Sequence, residues 1–346
     1  MWIGTLFALV AGLVWGLVFV APLMLPDYPA LLLSCARYLA FGLIALPLAW
    51  LDRVRIAELT RADWIEAFKL GLVGNLLYYL CLAAAIQRAG GPLPTMIIGT
   101  LPVVIAVSAN LRDARHGARL PWLRLLPSLL LIAAGIACVN QVEIAALQDD
   151  AGTDLARYAV GALLALGAVA CWTWYPIRNA DWLRAHPGRS PRERGHPAHS
   201  VRSRQAGTLA SGGRARAWAT AQGLATLPPA ALGFALFWAW NDLSGSAFAM
   251  PLGPTPALFL GLMFAIGLLA SWLGTLCWNE ASQRLPTSLV GQLIVFETLA
   301  ALAYAFMLRA QMPGPVTLAG IALLVAGVLW ALRVRPQASA GPSQAA

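Results

Sequence analysis

Windows of about 20 apolar residues recur along the whole of this 346-residue chain. No other feature limits the fold as strongly. A hydrocarbon core ~30 Å thick is crossed by ~20 residues of helix. Inside lipid every backbone N–H and C=O needs a partner within the protein, so only helices or a closed barrel can cross. No alternating ten-residue pattern suggests a barrel. Composition points the same way: 59% of residues are hydrophobic, 11% are charged, and the mean hydropathy is +0.69. A soluble chain carries about 25% charged residues. The expected fold class is an all-α polytopic membrane protein forming one bundle.

The windows resolve into ten expected transmembrane helices, at 2–25, 29–51, 65–87, 92–111, 125–142, 157–179, 216–240, 257–280, 288–307 and 315–333. Arginine placement orients them. With the N-terminus in the cytoplasm, the inner connections carry Arg53, Arg55, Arg61 and Lys69, then Arg112, Arg115, Arg119 and Arg124. The same side receives Arg178, the arginines of the connection between helices six and seven, Arg284, Arg333 and Arg335. The outer side holds Arg88, Arg157 and Arg309 with an acidic stretch, Glu143 to Asp154. The positive-inside rule then puts both termini in the cytoplasm, as expected for a multi-pass protein of a bacterial inner membrane. The net charge of +9 belongs to these connections and does not form a basic face for nucleic acid. The N-terminus lacks the basic flank of a secretory signal and reads as a retained first helix.

Metal, cofactor and enzyme chemistry find no support in the sequence. The five cysteines, Cys35, Cys81, Cys138, Cys171 and Cys277, lie inside apolar segments and form no CxxC or Cys/His cluster. His186, His196 and His199 are too loosely spaced for a metal site. There is no HExxH, GxSxG or P-loop, so no catalytic residue, metal or cofactor is assigned and ATP-driven transport by this chain is disfavoured. The stretch 180–215, rich in Arg, Ser, Gly and Pro, reads as a disordered cytoplasmic insert; the alternative is attraction of its arginines to anionic lipid headgroups. The tail 334–346 also reads as disordered.

The two halves resemble each other. GTLFALVAGLVWG (Gly4–Gly16) aligns with GALLALGAVACWT (Gly161–Thr173), setting Trp15 over Trp172. ARYLA (Ala36–Ala40) falls over AQGLA (Ala221–Ala225), and LCLAAAIQR (Leu80–Arg88) over LCWNEASQR (Leu276–Arg284). LLIAAGIACV (Leu130–Val139) matches ALLVAGVLWA (Ala322–Ala331). With five spans per copy, the second copy enters the membrane from the opposite side. Two inverted five-helix repeats result, an arrangement used by transporters for alternating access.

This pattern resembles the EamA family of the drug/metabolite transporter superfamily. The residues that carry the resemblance are Trp15 and Gly16 in span 1, Ala36–Tyr38 in span 2, Leu101 and Pro102 in span 4, and the AG-rich terminal spans. It covers the chain except the 180–215 insert, with one EamA-like repeat at 1–147 and a second at 148–333. The chain departs from the family where a Gly-Glu motif often follows spans 4 and 9; it reads NLRDARHG and LRAQMPG there, and Glu297 stands where a proline is common. The resemblance implies secondary transport and peripheral spans 5 and 10.

Arg37 and Glu297 are the charges that need explaining. Arg37 lies ~12 Å into its helix, near the bilayer midplane, where a charge costs at least ~2.5–3.5 kcal/mol. It is read as a structural donor to carbonyls, as a cavity residue that attracts an anionic group, or as a snorkelling side chain. Glu297 is the comparably deep carboxylate, either statically paired with Arg37 or a carboxyl whose protonation changes during transport, giving proton coupling. Asn75 and Gln292 are polar neutral candidates for recognition, with helix–helix hydrogen bonding as the alternative. Trp15, Trp172, Tyr38 and Tyr78 are candidate walls of an amphipathic cavity, with lipid-facing packing as the alternative for each. These eight residues form the expected substrate site. The expected function is a secondary transporter, an exporter of amino acids or similar small metabolites, with membrane lipid as its other partner. A polytopic membrane enzyme and a non-transporting scaffold or sensor are the competing readings.

Overall fold

Helix after helix runs through the computed structural model, which describes residues 2–89, 94, 97–114, 122–148, 155–186, 201–309 and 312–333. No strand occurs among the described residues. We number the long helical segments in chain order: α1 Trp2–Met24, α2 Ala30–Leu51, α3 Arg61–Ala89, α4 Leu101–Ala114, α5 Trp122–Gln148, α6 Leu155–Ala185, α7 Val201–Leu243 and α8 Pro256–Arg284. Then come α9, in two pieces, Thr287–Leu293 and Val295–Arg309, and α10 Pro315–Arg333. Seven of these hold a stretch long and apolar enough to cross a membrane, and the apolar cores of α4, α5 and α10 are shorter. The chain is thus an all-helical membrane protein with several membrane-spanning helices.

Local sequence explains several helix starts. Thr60 and Asp63 form a capping box at α3: Thr60 Oγ1 accepts from Asp63 N, and Asp63 Oδ2 accepts from Thr60 N at 2.8 Å. Proline opens α8 and α10 at the first helical position, where its missing N–H costs nothing.

Helix pairing organises the bundle. The main partners are α5 with α10, α2 with α7, α3 with α6, α1 with α8 and α9, and α4 with the first piece of α9. Small residues allow close approach. A Cβ on Gly135 of α5 would meet Gly320 O of α10, and one on Gly327 would meet Ile132.

Helices extend beyond the expected boundaries. The stretch 180–215, expected to be disordered, is helical at both ends: α6 runs to Ala185 and α7 starts at Val201. Residues 187–200, and the tail 334–346, lie outside the described residues. Side-chain anchors hold the added turns. Trp182 stacks on Trp218 with ring centroids 3.5 Å apart, Arg216 clasps Asp52, and Arg214 donates to the His186 carbonyl. Trp182 and Trp218 are therefore buried between helices, whereas Trp238, Trp240 and Trp330 are exposed.

Four helices depart from α geometry, α1 through a 3-10 turn at Leu17–Phe19. α3 is π-helical over Leu70–Leu77, and α8 over Gly267–Leu273. α9 breaks at Ile294, whose carbonyl accepts from Glu297 N at 2.8 Å. Carbonyls in the π-helical turns are tied off by side chains: Ser34 Oγ donates to Leu76 O at 3.0 Å, and Trp15 Nε1 to Ala270 O at 2.8 Å.

Candidate functional site

These irregular turns surround one buried cavity of about 10 Å³. Trp15 and Val18 of α1, Arg37 and Tyr38 of α2, and Asn75 and Tyr78 of α3 line one side. Trp172 of α6, Ala270, Ser271 and Thr275 of α8, and Glu297 of α9 close the other. Seven of the eight expected site residues thus meet at one place. The π-helical turns carry Asn75 and Ser271, and Glu297 follows the break in α9 by three residues. A π turn re-aims side chains that a regular helix would direct elsewhere, and such turns recur at functional sites.

Arg37 is held on one edge. Its Nε donates to Ser271 Oγ at 3.0 Å, and its Cζ lies 4.9 Å from the Tyr38 ring centroid and 4.7 Å from that of Tyr79. Its Nη1 has no hydrogen-bond partner, and neither has Glu297 Oε2. The two charges share the cavity without a static ion pair between those atoms. Asn75 Nδ2, Tyr78 OH and Trp172 Nε1, buried on the same walls, also lack partners. Arg37, Glu297, Asn75, Tyr78 and Trp172 thus line one void, and each carries an unsatisfied polar atom. Leaving a buried polar group unsatisfied costs about 1–3 kcal/mol. Five together approach the net stability of a whole domain, about 5–15 kcal/mol. A single water fills a cavity of this size and makes only ~2–4 bonds, too few for all five.

Aromatic rings make the walls rigid. Trp172 lies between Tyr78, at 4.7 Å, and Tyr175, at 4.9 Å with the planes 2° apart. Trp15 meets Trp172 edge-on at 5.2 Å and Trp278 at 5.0 Å. The cavity therefore offers donors from Arg37, Asn75 and Trp172, a tyrosyl hydroxyl, a carboxyl and flat apolar surfaces.

Gln292 lies elsewhere. Its Oε1 accepts from Ser128 Oγ at 2.7 Å, so it joins α9 to α5 and does not line the cavity. This contact is a helix–helix hydrogen bond, the alternative given for it above. Asn279 and Glu280 also lie away from the cavity: Asn279 accepts from Asn179 Nδ2 at 2.8 Å, and Glu280 pairs with Arg284. Ser271, Thr275, Val18 and Ala270 line the cavity and were not singled out in the sequence.

Both ends of the bundle are closed over this centre. At one end Tyr28, in the α1–α2 connection, donates to Leu252 O at 2.8 Å and accepts from Thr255 N at 2.9 Å. Its ring is stacked on Phe259 and edge-on to Phe248. The opposite end, rich in arginine, is closed by ion pairs among α2, α3, α4, α6 and α7.

An apolar helical bundle with a buried polar, aromatic-walled centre is consistent with a membrane transporter, and the chain belongs to the EamA-like transporter family, whose model matches residues 2–141. Over 334 residues it is 51% identical to the Inner membrane protein YtfF of Escherichia coli (strain K12), with 96% of each chain covered. It also resembles in fold a protein known from a crystal structure, at 17% identity and a TM-score of 0.66, covering 95% of this chain and 96% of that one. Membership of this family implies a small-molecule substrate and a lipid environment.

Proposed function

We propose that this protein is a secondary transporter that exports amino acids or similar small zwitterionic metabolites across the bacterial inner membrane by alternating access. One observation carries the reading: five residues of α2, α3, α6 and α9 that line one void each hold a buried, unpartnered polar atom. In a protein with a fixed structural role such a cluster is a pure cost. In a carrier it is the set of contacts a substrate completes. The donors of Arg37, Asn75 and Trp172 suit a carboxylate, Glu297 suits an ammonium group or a proton, and the stacked rings suit an apolar side chain. Glu297 is the group through which a proton gradient couples to the substrate.

We infer further that the helices form ten spans in two inverted repeats. Exchanging each helix of the first five for its counterpart in the second five turns the α1–α8 pair into α6–α3. It leaves α2–α7, α4–α9 and α5–α10 as they are, so these pairings form a set that a two-fold exchange preserves, whereas α1–α9 maps onto the lesser α6–α4 contact. The segments 1–147 and 148–333 are then the two repeats, α5 and α10 stand outside the cavity, and the arginine-rich end and both termini face the cytoplasm.

Purified protein in proteoliposomes, given a panel of amino acids and other small metabolites with and without a proton gradient, tests this. Saturable flux of a zwitterion that responds to the gradient is expected. Flux indifferent to Arg37→Ala and Glu297→Gln in correctly inserted protein would remove the cavity from the mechanism.

A further inference from the structure

Four buried or half-buried acidic groups close the arginine-rich end, and each is paired across the boundary between residues 1–147 and 148–333. Asp52 accepts from Arg216 Nε at 2.7 Å and Nη2 at 2.6 Å. Glu66 accepts from Arg178 Nε at 2.7 Å and Nη2 at 3.2 Å. Asp181 accepts from Arg112 Nη1 at 2.7 Å. Asp63 Oδ1 accepts from Trp182 Nε1 at 2.7 Å and lies 3.4 Å from His186 Nε2. The Asp52 side chain is only 1% exposed, while that of Arg216 is 44% exposed.

We propose that the Asp52–Arg216 and Glu66–Arg178 pairs, supported by Arg112–Asp181, form an ionic latch, the cytoplasmic gate of the central cavity. The proposal rests on the transporter reading above and adds to it where and by what the cavity opens. Both principal pairs are two-pronged, a geometry that a planar guanidinium gives and that fails as a unit when the halves part. Removing a partner leaves a buried carboxylate uncompensated, so partial opening is unfavourable and water must enter before the latch releases. The half-exposed arginines make the latch sensitive to salt.

The material between latch and cavity favours this end as the route. Behind the latch Asn179 accepts from Trp218 Nε1 at 2.9 Å and from Gln222 Nε2 at 3.2 Å, and its Nδ2 donates to Asn279. Gln222 accepts from the Tyr175 hydroxyl at 2.9 Å, and the Tyr175 ring stacks on Trp172 in the cavity wall. All these residues belong to the second half. Across from them Gly74 of the first half is so close to the Tyr175 ring that a Cβ there would collide with it. Parting the halves at the latch therefore uncovers a polar lane that leads from solvent to the cavity. The Tyr28 end, sealed by stacked rings and backbone hydrogen bonds, has no such row of ion pairs among the described residues.

A single reporter cysteine, Thr275→Cys, in a background with the five native cysteines replaced, tests the latch without any substrate. An impermeant maleimide is presented to the arginine-rich face in oriented membrane vesicles. Asp52→Asn with Glu66→Gln is expected to raise the labelling rate about tenfold. The exchange Asp52→Arg with Arg216→Asp is expected to return labelling toward the parent rate in the Glu66 background. Where the neutralised protein is too unstable to isolate, 1 M salt on the parent is the second measurement and is expected to accelerate labelling. Labelling unaffected by neutralisation in folded protein, or by salt in the parent, overturns the latch. Labelling that rises, where the parent with Thr275 intact moves no solute, would leave the gate standing and refute the transporter reading instead.

Discussion

Arg37→Ala separates binding from stability because the structure holds the guanidinium on one edge only. Folding loses the 3.0 Å bond to Ser271 and the two ring contacts at 4.9 and 4.7 Å. Those contacts are worth about 1–3 kcal/mol together. Removing a charge from an apolar interior offsets much of that, so the variant is expected to insert and to melt within a few degrees of the parent. The substrate loses more. A guanidinium whose Nη1 is unpartnered can give a carboxylate two charge-assisted bonds, about 1.5–3 kcal/mol each. The expected loss of affinity is thus roughly 10²- to 10⁴-fold. Arg37→Lys restores the charge as a point donor without the planar fork, so it is expected to recover less than half of that loss in free energy. Binding measured by counterflow in proteoliposomes, with melting in detergent as the control, reads both quantities. Wild-type affinity in a folded Arg37→Ala protein would show that the guanidinium is a structural donor to Ser271, and the site would have to be redrawn without it.

Glu297→Gln keeps the shape and removes the titrating proton, so flux is expected to continue down a substrate gradient while losing its response to a pH gradient in the same vesicles. Gln292→Ala breaks the 2.7 Å bond to Ser128 and is expected to lower stability by about 1 kcal/mol, read by thermal melting, with substrate affinity unchanged. Gly135→Leu places a side chain against the Gly320 carbonyl and is expected to cost about 1–3 kcal/mol through loss of the α5–α10 contact, again without a change in affinity. Orientation is read by labelling: Arg53→Cys is expected to react only from the cytoplasmic face, and Ala247→Cys, in the α7–α8 connection, only from outside.

Hydropathy made the helices legible, because lipid leaves the backbone few other solutions. Arg37 and Glu297 were legible for the same reason: a charge deep in an apolar window demands a partner or a cavity. Helix ends were less legible. Arginines in 201–216 suggested a solvated chain, yet Arg216 is bound by Asp52 from 164 positions away. That long-range pairing cannot be read from local composition. Trp182 and Trp218 show a related limit, since a tryptophan near a span end has the sequence context of an interfacial anchor even where a second one stacks on it. Gln292 shows the limit of polarity alone, because an amide facing a neighbouring helix and one facing a cavity look the same in sequence.

Ser271 is a different case, because the repeat already points to it. The alignment that sets Leu80 over Leu276 also sets Asn75 over Ser271 and Tyr79 over Thr275. It lays the π-helical stretch Leu70–Leu77 over the positions from Ile266 to Leu273, one residue longer than the second π-helical stretch. Gly71 packs against Thr226, and its counterpart Gly267 packs against Ala40 and Phe41, of which Phe41 is the counterpart of Thr226. The same local irregularity thus stands at the same place in both halves, and each copy directs one polar side chain to the cavity. The two copies then diverge in chemistry. The first contributes an amide, Asn75, whose Nδ2 has no partner; the second contributes a hydroxyl, Ser271, which is spent on Arg37. Unlike residues at these matched positions let the cavity present donors on one side and a carboxyl on another. That combination suits the small zwitterion proposed above, and the five unpartnered groups of the cavity wall stand beside the turns where the helices are least regular.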